Sequence, residues 1–430
     1  MPIMSNVPKT TIAAIALSFA AIGASLPAAA EEITLDVMYP WPELKSFQEP
    51  LAQAFMQANP EIKIKFRLSP PNYEEANLAI ARGAITGDLP DVYFSGYSVL
   101  KPMVETLSKR NQTVALTPFM NAEGADWVSA NYDASLLSLG HVNGTQYAIP
   151  FNASTPIIYF NADLVKQAGH DPEAFPKDWG GIIKLAQDIN ALGKDINGMD
   201  FSAGSIESDW DWQATVLSLG GQIVNADGTG VGFDNAVGLD ALKLLQRLAK
   251  ETSMNVATTA DPYRQQFFAG KLGFFISSPS SVAAFTEAVG NRFTMRTAPF
   301  PISTSGGGLP TGGNAVAIIA QDPAHQQAAW KYVKFLTSPE SQAYVAKSTG
   351  YMPTNKQAGV TLRDFYATNP TYATAFKQVE YSRPWYSYAG GNSKEIWRAQ
   401  RAIIDQVQRG NTTPEEGLKE LVKATNARLN

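Results

Sequence analysis

Four strings in the chain interleave large rings with hydrogen-bonding side chains: Tyr39-Pro40-Trp41-Pro42-Glu43, Ser95-Gly96-Tyr97, Ser208-Asp209-Trp210-Asp211-Trp212 and Pro384-Trp385-Tyr386-Ser387-Tyr388. That combination suits a polyhydroxylated solute, whose apolar CH faces pack on aromatic rings while its hydroxyls need fixed donors and acceptors. Read as extended chain, Trp210 and Trp212 share one face and Asp209 and Asp211 the other, so one pair would face a ligand. The competing reading of any single ring is core packing.

Catalytic readings fare worse. Glu207, Asp209 and Asp211 invite comparison with a glycosidase acid pair, but such a pair flanks the scissile bond from opposite sides, and three acids within five residues suit a solvated loop or a helix start. Ser277-Ser278-Pro279-Ser280-Ser281 lacks the Gly-x-Ser-x-Gly setting of a nucleophile and reads as a turn capping the next helix. The glycines at 306–308 and 312–313 have no phosphate-loop lysine and precede a strand, so they read as a flexible crossing. With no cysteine, thiol nucleophiles, thiolate zinc sites and iron–sulfur clusters are excluded. His141, His170 and His325 are isolated, with no ligand partner three or four residues away. No catalytic residue, metal or cofactor is expected.

Something must position these rings. A chain of 430 residues with 45% hydrophobic and 17% charged residues can bury two or three cores without staples. The 34 basic and 39 acidic residues are dispersed, so no polyanion footprint exists and nucleic acid is not an expected partner. Lys9, the apolar run Ile12 to Ala24 and the small residues Ala28-Ala29-Ala30 read as a secretory signal peptide cleaved after Ala30. The run falls short of the about 20 residues a membrane span needs. No cysteine follows to carry a lipid, so the expected product is soluble in a periplasm, with no direct membrane insertion.

Downstream, strand and helix alternate. Ile33 to Met38, Ile62 to Phe66 and Asp91 to Phe94 read as strands, with helices over Phe47 to Ala58 and Glu74 to Ile85 between them. The order resumes with strands at Tyr147 to Pro150, Gly198 to Phe201 and Leu272 to Ile276, and helices at Ala162 to Ala168, Gly181 to Leu192 and Leu239 to Lys250. The tail is helical: Pro323 to Leu336, Pro339 to Lys347, Ser393 to Gln408, and a helix opened by Thr413 as N-cap with Pro414 and Glu416 behind it. The expected fold is α/β, two lobes each with a mostly parallel sheet and a helical C-terminal tail, with a cleft between them.

Five strings, in order, resemble the extracellular solute-binding proteins of ABC importers in the maltose-binding-protein class. Tyr147-Ala148-Ile149-Pro150-Phe151-Asn152-Ala153-Ser154-Thr155-Pro156 is similar to that family's first interlobe crossing, and Pro176-Lys177-Asp178-Trp179 to its approach to a helix. Phe268-Ala269-Gly270-Lys271-Leu272-Gly273 resembles the turn into a buried strand, Gly312-Gly313-Asn314-Ala315 a returning strand, and Ser348-Thr349-Gly350-Tyr351-Met352-Pro353-Thr354 the third crossing. The Pro-Phe-Asn-Ala-Ser-Thr-Pro and Thr-Gly-Tyr-Met-Pro strings are nearest to the glycerol-3-phosphate-binding branch.

The resemblance implies a Venus-flytrap divided as 1–30 signal peptide, 31–151 and 300–350 in the N-lobe, and 152–299 and 351–430 in the C-lobe. Matched position by position, the branch implies ligand contacts at Tyr73, Ser154, Ser280 or its neighbour Ser281, Gly313 and Tyr351. Two positions depart: Tyr97 stands where the branch has an acidic polyol ligand, and the segment from Tyr386 to Gly391 has no phosphate-binding arginine. Without that cation a phosphate dianion loses its bidentate partner. With the rings added, the expected ligand-binding set is Trp41, Tyr73, Tyr97, Ser154, Trp210, Trp212, Ser280, Gly313, Tyr351 and Trp385. The expected role is that of a monomeric periplasmic protein delivering a sugar, glycoside or sugar-like polyol to permease subunits of the membrane. A phosphorylated or sulfonated polyol, held by serines and amides or by Arg398, is the alternative ligand, and a periplasmic glycoside hydrolase the alternative class.

Overall fold

The computed structural model describes residues 32–204, 209–386, 388 and 392–429. The signal segment 1–30 and Glu207 lie outside the described residues. The strands are β1 (Ile33–Met38), β2 (Ile62–Phe66), β3 (Val92–Gly96), β4 (His141–Val142), β5 (Thr145–Gln146), β6 (Ala148–Ser154), β7 (Ile157–Asn161), β8 (Asn197–Asp200), β9 (Leu272–Ser277), β10 (Met295–Pro299), β11 (Leu309–Ile318), β12 (Met352–Pro353) and β13 (Ser382–Pro384).

They build two main sheets. The first has the order β12-β6-β11-β3-β1-β2, with β13 paired to the start of β11, and the second the order β10-β7-β9-β8. The sheets are mixed, which corrects the expectation of mostly parallel ones. β1 runs parallel to β2 and β3, but β11 is antiparallel to β3 and β6, and β7 is antiparallel to β9 and β10. The reason is connectivity. Tight helical crossovers link β1, β2 and β3 as expected, whereas β11 comes back from the second sheet and enters from the opposite end.

Strand alternation divides the side chains between cores. Leu35, Val37, Phe94, Phe151, Val316 and Ile318 pack on one face of the first sheet against the helices Lys45–Ala58 and Pro323–Leu336. Their neighbours Met38, Tyr93, Ala153, Ala315 and Ala317 belong to a second cluster that continues into Tyr159 and Phe275 of the second sheet and Phe285 of the helix Val282–Val289. The opposite face of that sheet, with Ile158, Phe160, Phe274 and Ile276, meets the helices Trp179–Asn190, Ala236–Glu251 and Ser393–Gln408. Thr413 caps the last helix, its Oγ1 accepting from the Glu416 amide at 3.2 Å.

Two local expectations change. Gly312 and Gly313 lie inside β11 rather than in a flexible crossing, at a bulge between Asn314 and Ala315. Met352–Pro353 stays on the first sheet beside β6, and the helix Lys356–Thr361 packs on Pro339–Thr349, while Pro370–Ala373 contacts β10 of the second.

Candidate functional site

The central strands β6 and β11 carry the chain between the sheets, and the expected site residues gather around them. Ser154 ends β6 opposite Gly312, and a Cβ added at Gly312 would stand 2.8 Å from Ser154 Oγ and 3.4 Å from Trp210 Nε1. Gly313 has φ 109°, and a Cβ there would meet the Asn152 carbonyl oxygen at 2.4 Å, so both backbone hand and close approach require glycine.

On the first-sheet side three tyrosines converge. Tyr73 opens the helix Tyr73–Thr86, whose N-cap Asn72 accepts from the Glu75 amide, and its ring lies so near Gly96 that a Cβ there would fall 2.5 Å from Tyr73 Cγ. Tyr97 opens the next helix and donates its hydroxyl to the Asn152 carbonyl at 2.9 Å. Burial is the main cause that raises the Tyr73 and Tyr97 hydroxyls, with Tyr351 adding to both. Tyr351 is pushed up to about 12 by burial, with a hydrogen bond to Ser280 working against the shift and the Glu43 charge adding to it. All three are therefore neutral donors at ordinary pH. Trp41 stands edge-on to Tyr73 with centroids 5.9 Å apart, and its φ of 67° is a strained backbone for a tryptophan, fixed by its amide's bond to the Pro70 carbonyl.

Trp210, Trp385 and Ser280 approach from the other side. Trp210 Nε1 donates to the Pro310 carbonyl at 2.9 Å, and its ring lies 6.4 Å from that of Trp385. β13, lying along β11, delivers Trp385, whose Nε1 donates to Asp209 Oδ1 at 2.8 Å. Ser280 sits in the turn Pro279–Ser281, capped by Ser278, as the sequence suggested. Lys394 reaches Glu75 at 3.7 Å from the second-sheet side, an exposed pair of little energetic weight.

Trp212 does not join this group. The segment is a helix, Trp210–Ser218, so residues two apart diverge by about 200° instead of sharing a face. Trp212 is fully buried, edge-on to Phe233 in the second-sheet core. The acids diverge too. Asp211 is buried beside Asp200 and pushed up to about 7 by burial, then by that neighbour's charge, against Arg264. Asp209 is held up at about 6 by burial, with Gln213 and Trp385 bonds opposing and Glu74 adding. No opposed carboxylate pair results from Asp209 and Asp211.

Residue types alone did not single out Asn152, Asn314 and Gln213. Asn152 Oδ1 accepts from the Asn314 amide at 3.0 Å and Asn314 Nδ2 donates to Tyr73 Oη at 3.3 Å, leaving Asn152 Nδ2 and Asn314 Oδ1 buried without a partner. Strand spacing from Gly312 would have pointed to Asn314. Gln213 lies one helical turn from Asp209, a relation hidden by the extended reading. Arg398 is exposed on its helix, and the guanidinium of Arg383 is spent on the carbonyls of Glu380, Ser382 and Gly307. His170 bonds Asp188 and His325 bonds Asp91, ordinary structural pairings.

A family model described as bacterial extracellular solute-binding protein matches residues 41–343. The sn-glycerol-3-phosphate-binding periplasmic protein UgpB of Escherichia coli K12 is 27% identical over 416 residues, covering 90% of each chain. Among solved structures, UgpB from Mycobacterium tuberculosis in complex with glycerophosphocholine superposes with a TM-score of 0.78 at 22% identity, covering 92% of this chain and 98% of that one. The cyclic alpha-maltosyl-1,6-maltose binding protein from Arthrobacter globiformis gives 0.76 at 19% identity, covering 92% and 99%.

Proposed function

Because the chain belongs to the bacterial extracellular solute-binding protein family, whose members bind solutes rather than transform them, we propose that it captures a sugar, glycoside or sugar-like polyol in the periplasm and hands it unchanged to the membrane subunits of an ABC importer. The observation that carries this reading is the convergence of Tyr73, Tyr97 and Tyr351 with Trp210, Trp385 and Ser280 around β6 and β11, rings and neutral hydroxyls carried by the helices and turns that flank the two sheets. Residues 1–30 direct export and are removed after Ala30.

Each sheet with its helices forms one lobe. The crossings then fall near 154–157, 299–309 and 353–370, so that the third lies beyond Met352–Pro353 rather than at Tyr351. Solute stabilises the closed arrangement because only there do contacts from both lobes reach it. Lys394–Glu75, Ser280–Tyr351 and the contact between the helices Val282–Val289 and Pro339–Thr349 bridge the lobes.

A phosphorylated polyol is the second reading, favoured by the names of the two UgpB relatives. The acids Glu74 and Asp209 near the rings weigh against a free dianion. A thermal-shift panel of maltose, tagatose, glycerol 3-phosphate, glycerophosphocholine and an amino acid separates these readings, since a bound solute raises the melting temperature by mass action. A shift only with the amino acid would overturn both.

A further inference from the structure

Trp385 is not placed by packing alone. Its indole N–H donates to Asp209 Oδ1 at 2.8 Å, and the other carboxylate oxygen accepts from Gln213 Nε2 at 2.7 Å. Gln213 then grips the residue after Trp385 twice, donating to the Tyr386 carbonyl and accepting from the Tyr386 amide, both at 3.0 Å. A side-chain amide thus pairs with backbone as a neighbouring strand would. Asp209 and Gln213 are spaced one turn apart at the start of the helix Trp210–Ser218, and both are buried. The same helix start anchors Trp210 to β11 through Pro310.

We propose that Asp209 and Gln213 are positioning residues, a clamp that sets the Trp385 ring against Trp210 before any solute arrives. The inference rests on the reading of this cleft as the solute site only for its effect on affinity; the clamp itself can be tested without a solute. Prepositioned rings cost less entropy to bind against, so the clamp contributes affinity without touching the ligand. The Asp209–Trp385 bond is charge-assisted and weakens when the carboxylate takes a proton. The titratable groups facing Asp209 are Glu74, from the helix Tyr73–Thr86, and Tyr388; the hydroxyl of Tyr388 is raised by burial and stays neutral. With its pKa at about 6, Asp209 changes charge in mildly acidic solution.

The test follows tryptophan emission of the purified, solute-free protein from about pH 4.5 to 8.5. Wild type should show a transition near pH 6 that is lost in both Asp209→Asn and Trp385→Phe, with melting temperatures confirming that each variant folds. An emission profile flat near pH 6, or a transition there that survives Trp385→Phe, would overturn the clamp; a separate change near pH 7 that Asp211→Asn removes belongs to Asp200 and Asp211. A second arm measures affinity for whichever compound of the panel above gives the largest thermal shift. Asp209→Ala should weaken binding about tenfold in the wild-type background and less than about twofold in Trp385→Phe, whereas Asp209→Asn, which keeps an acceptor, should stay within about threefold and lose the pH dependence. Equal losses in the two backgrounds would contradict action through Trp385. If no panel compound binds wild type, the functional reading of the cleft fails while the emission titration still decides the clamp.

Discussion

Tyr97 Oη donates to the carbonyl of Asn152 across 2.9 Å, tying the first turn of a helix to the strand that leaves the first sheet. The hydroxyl that a sugar would meet on an open tyrosine is therefore committed to the backbone, and what Tyr97 presents is its ring.

Tyr97→Phe should cost stability more than affinity. Losing one buried hydrogen bond is worth about 1 kcal/mol, which urea unfolding would read as a lower midpoint with an unchanged slope. Affinity for a bound solute should change less than about threefold; a tenfold loss with unaltered stability would mean the hydroxyl reaches the ligand.

Gly313→Ala combines a left-handed φ with a Cβ placed on the Asn152 carbonyl, so it should destabilise the chain by about 2 kcal/mol or more. Gly306, where an added Cβ meets nothing within 4 Å, is the control and should tolerate alanine within about 0.5 kcal/mol. Equal midpoints for the two variants would contradict the placement of Gly313.

Trp212→Ala and Trp385→Ala should part company. Emptying the buried Trp212 site should cost about 3 to 5 kcal/mol of stability, with folding itself at risk. Trp385→Ala should leave apo stability within about 1 kcal/mol and weaken solute binding by about tenfold to a hundredfold. Differential unfolding and isothermal titration on the same preparations read both quantities.

Asp200, Asp209 and Asp211 are all raised above the carboxylate range, to about 7, 6 and 7, burial being the first cause for each. The folded chain therefore keeps protons that the unfolded chain releases from near pH 4 upward. Their favourable contribution is complete below the unfolded value and is lost as pH rises through 6 to 7. The unfolding free energy read from the urea midpoint should be higher at pH 5.5 than at pH 8, by on the order of a few kcal/mol, and Asp211→Asn should reduce the difference. Carboxylates lowered by partners, such as Glu123 and Asp188, act only in more acidic solution. A midpoint that climbs from pH 5.5 to 8 would contradict the burial of the three acids.

Much of the fold was legible because local periodicity sets it. Leu51 and Phe55 at helical spacing, Ile62, Ile64 and Phe66 in alternation, and Thr413 ahead of Pro414 and Glu416 each predicted the element found. Sheet polarity was not legible, since the direction of β11 depends on where the chain has been rather than on the residues from Leu309 to Ile318. Within the site, strings around Tyr73, Ser280 and Tyr351 led to residues that do converge. The string around Trp210 misled, because alternation of rings and acids imitates a strand, and only the buried residues farther along, Ala214, Thr215 and Val216, report a helix enclosed on every side. Asn152 and Gln213 escaped notice because their roles depend on the carbonyl or amide that tertiary structure brings to them.

The proposed role is reversible capture of a solute between the two sheets. Isothermal titration of the purified protein with the compound giving the largest thermal shift, followed by mass spectrometry of the recovered compound, decides it. The expected result is one site per chain, a solute recovered unchanged, and an affinity reduced at least tenfold in both Tyr73→Ala and Trp385→Ala. Binding that neither substitution weakens, or a recovered compound that has been cleaved, would contradict it.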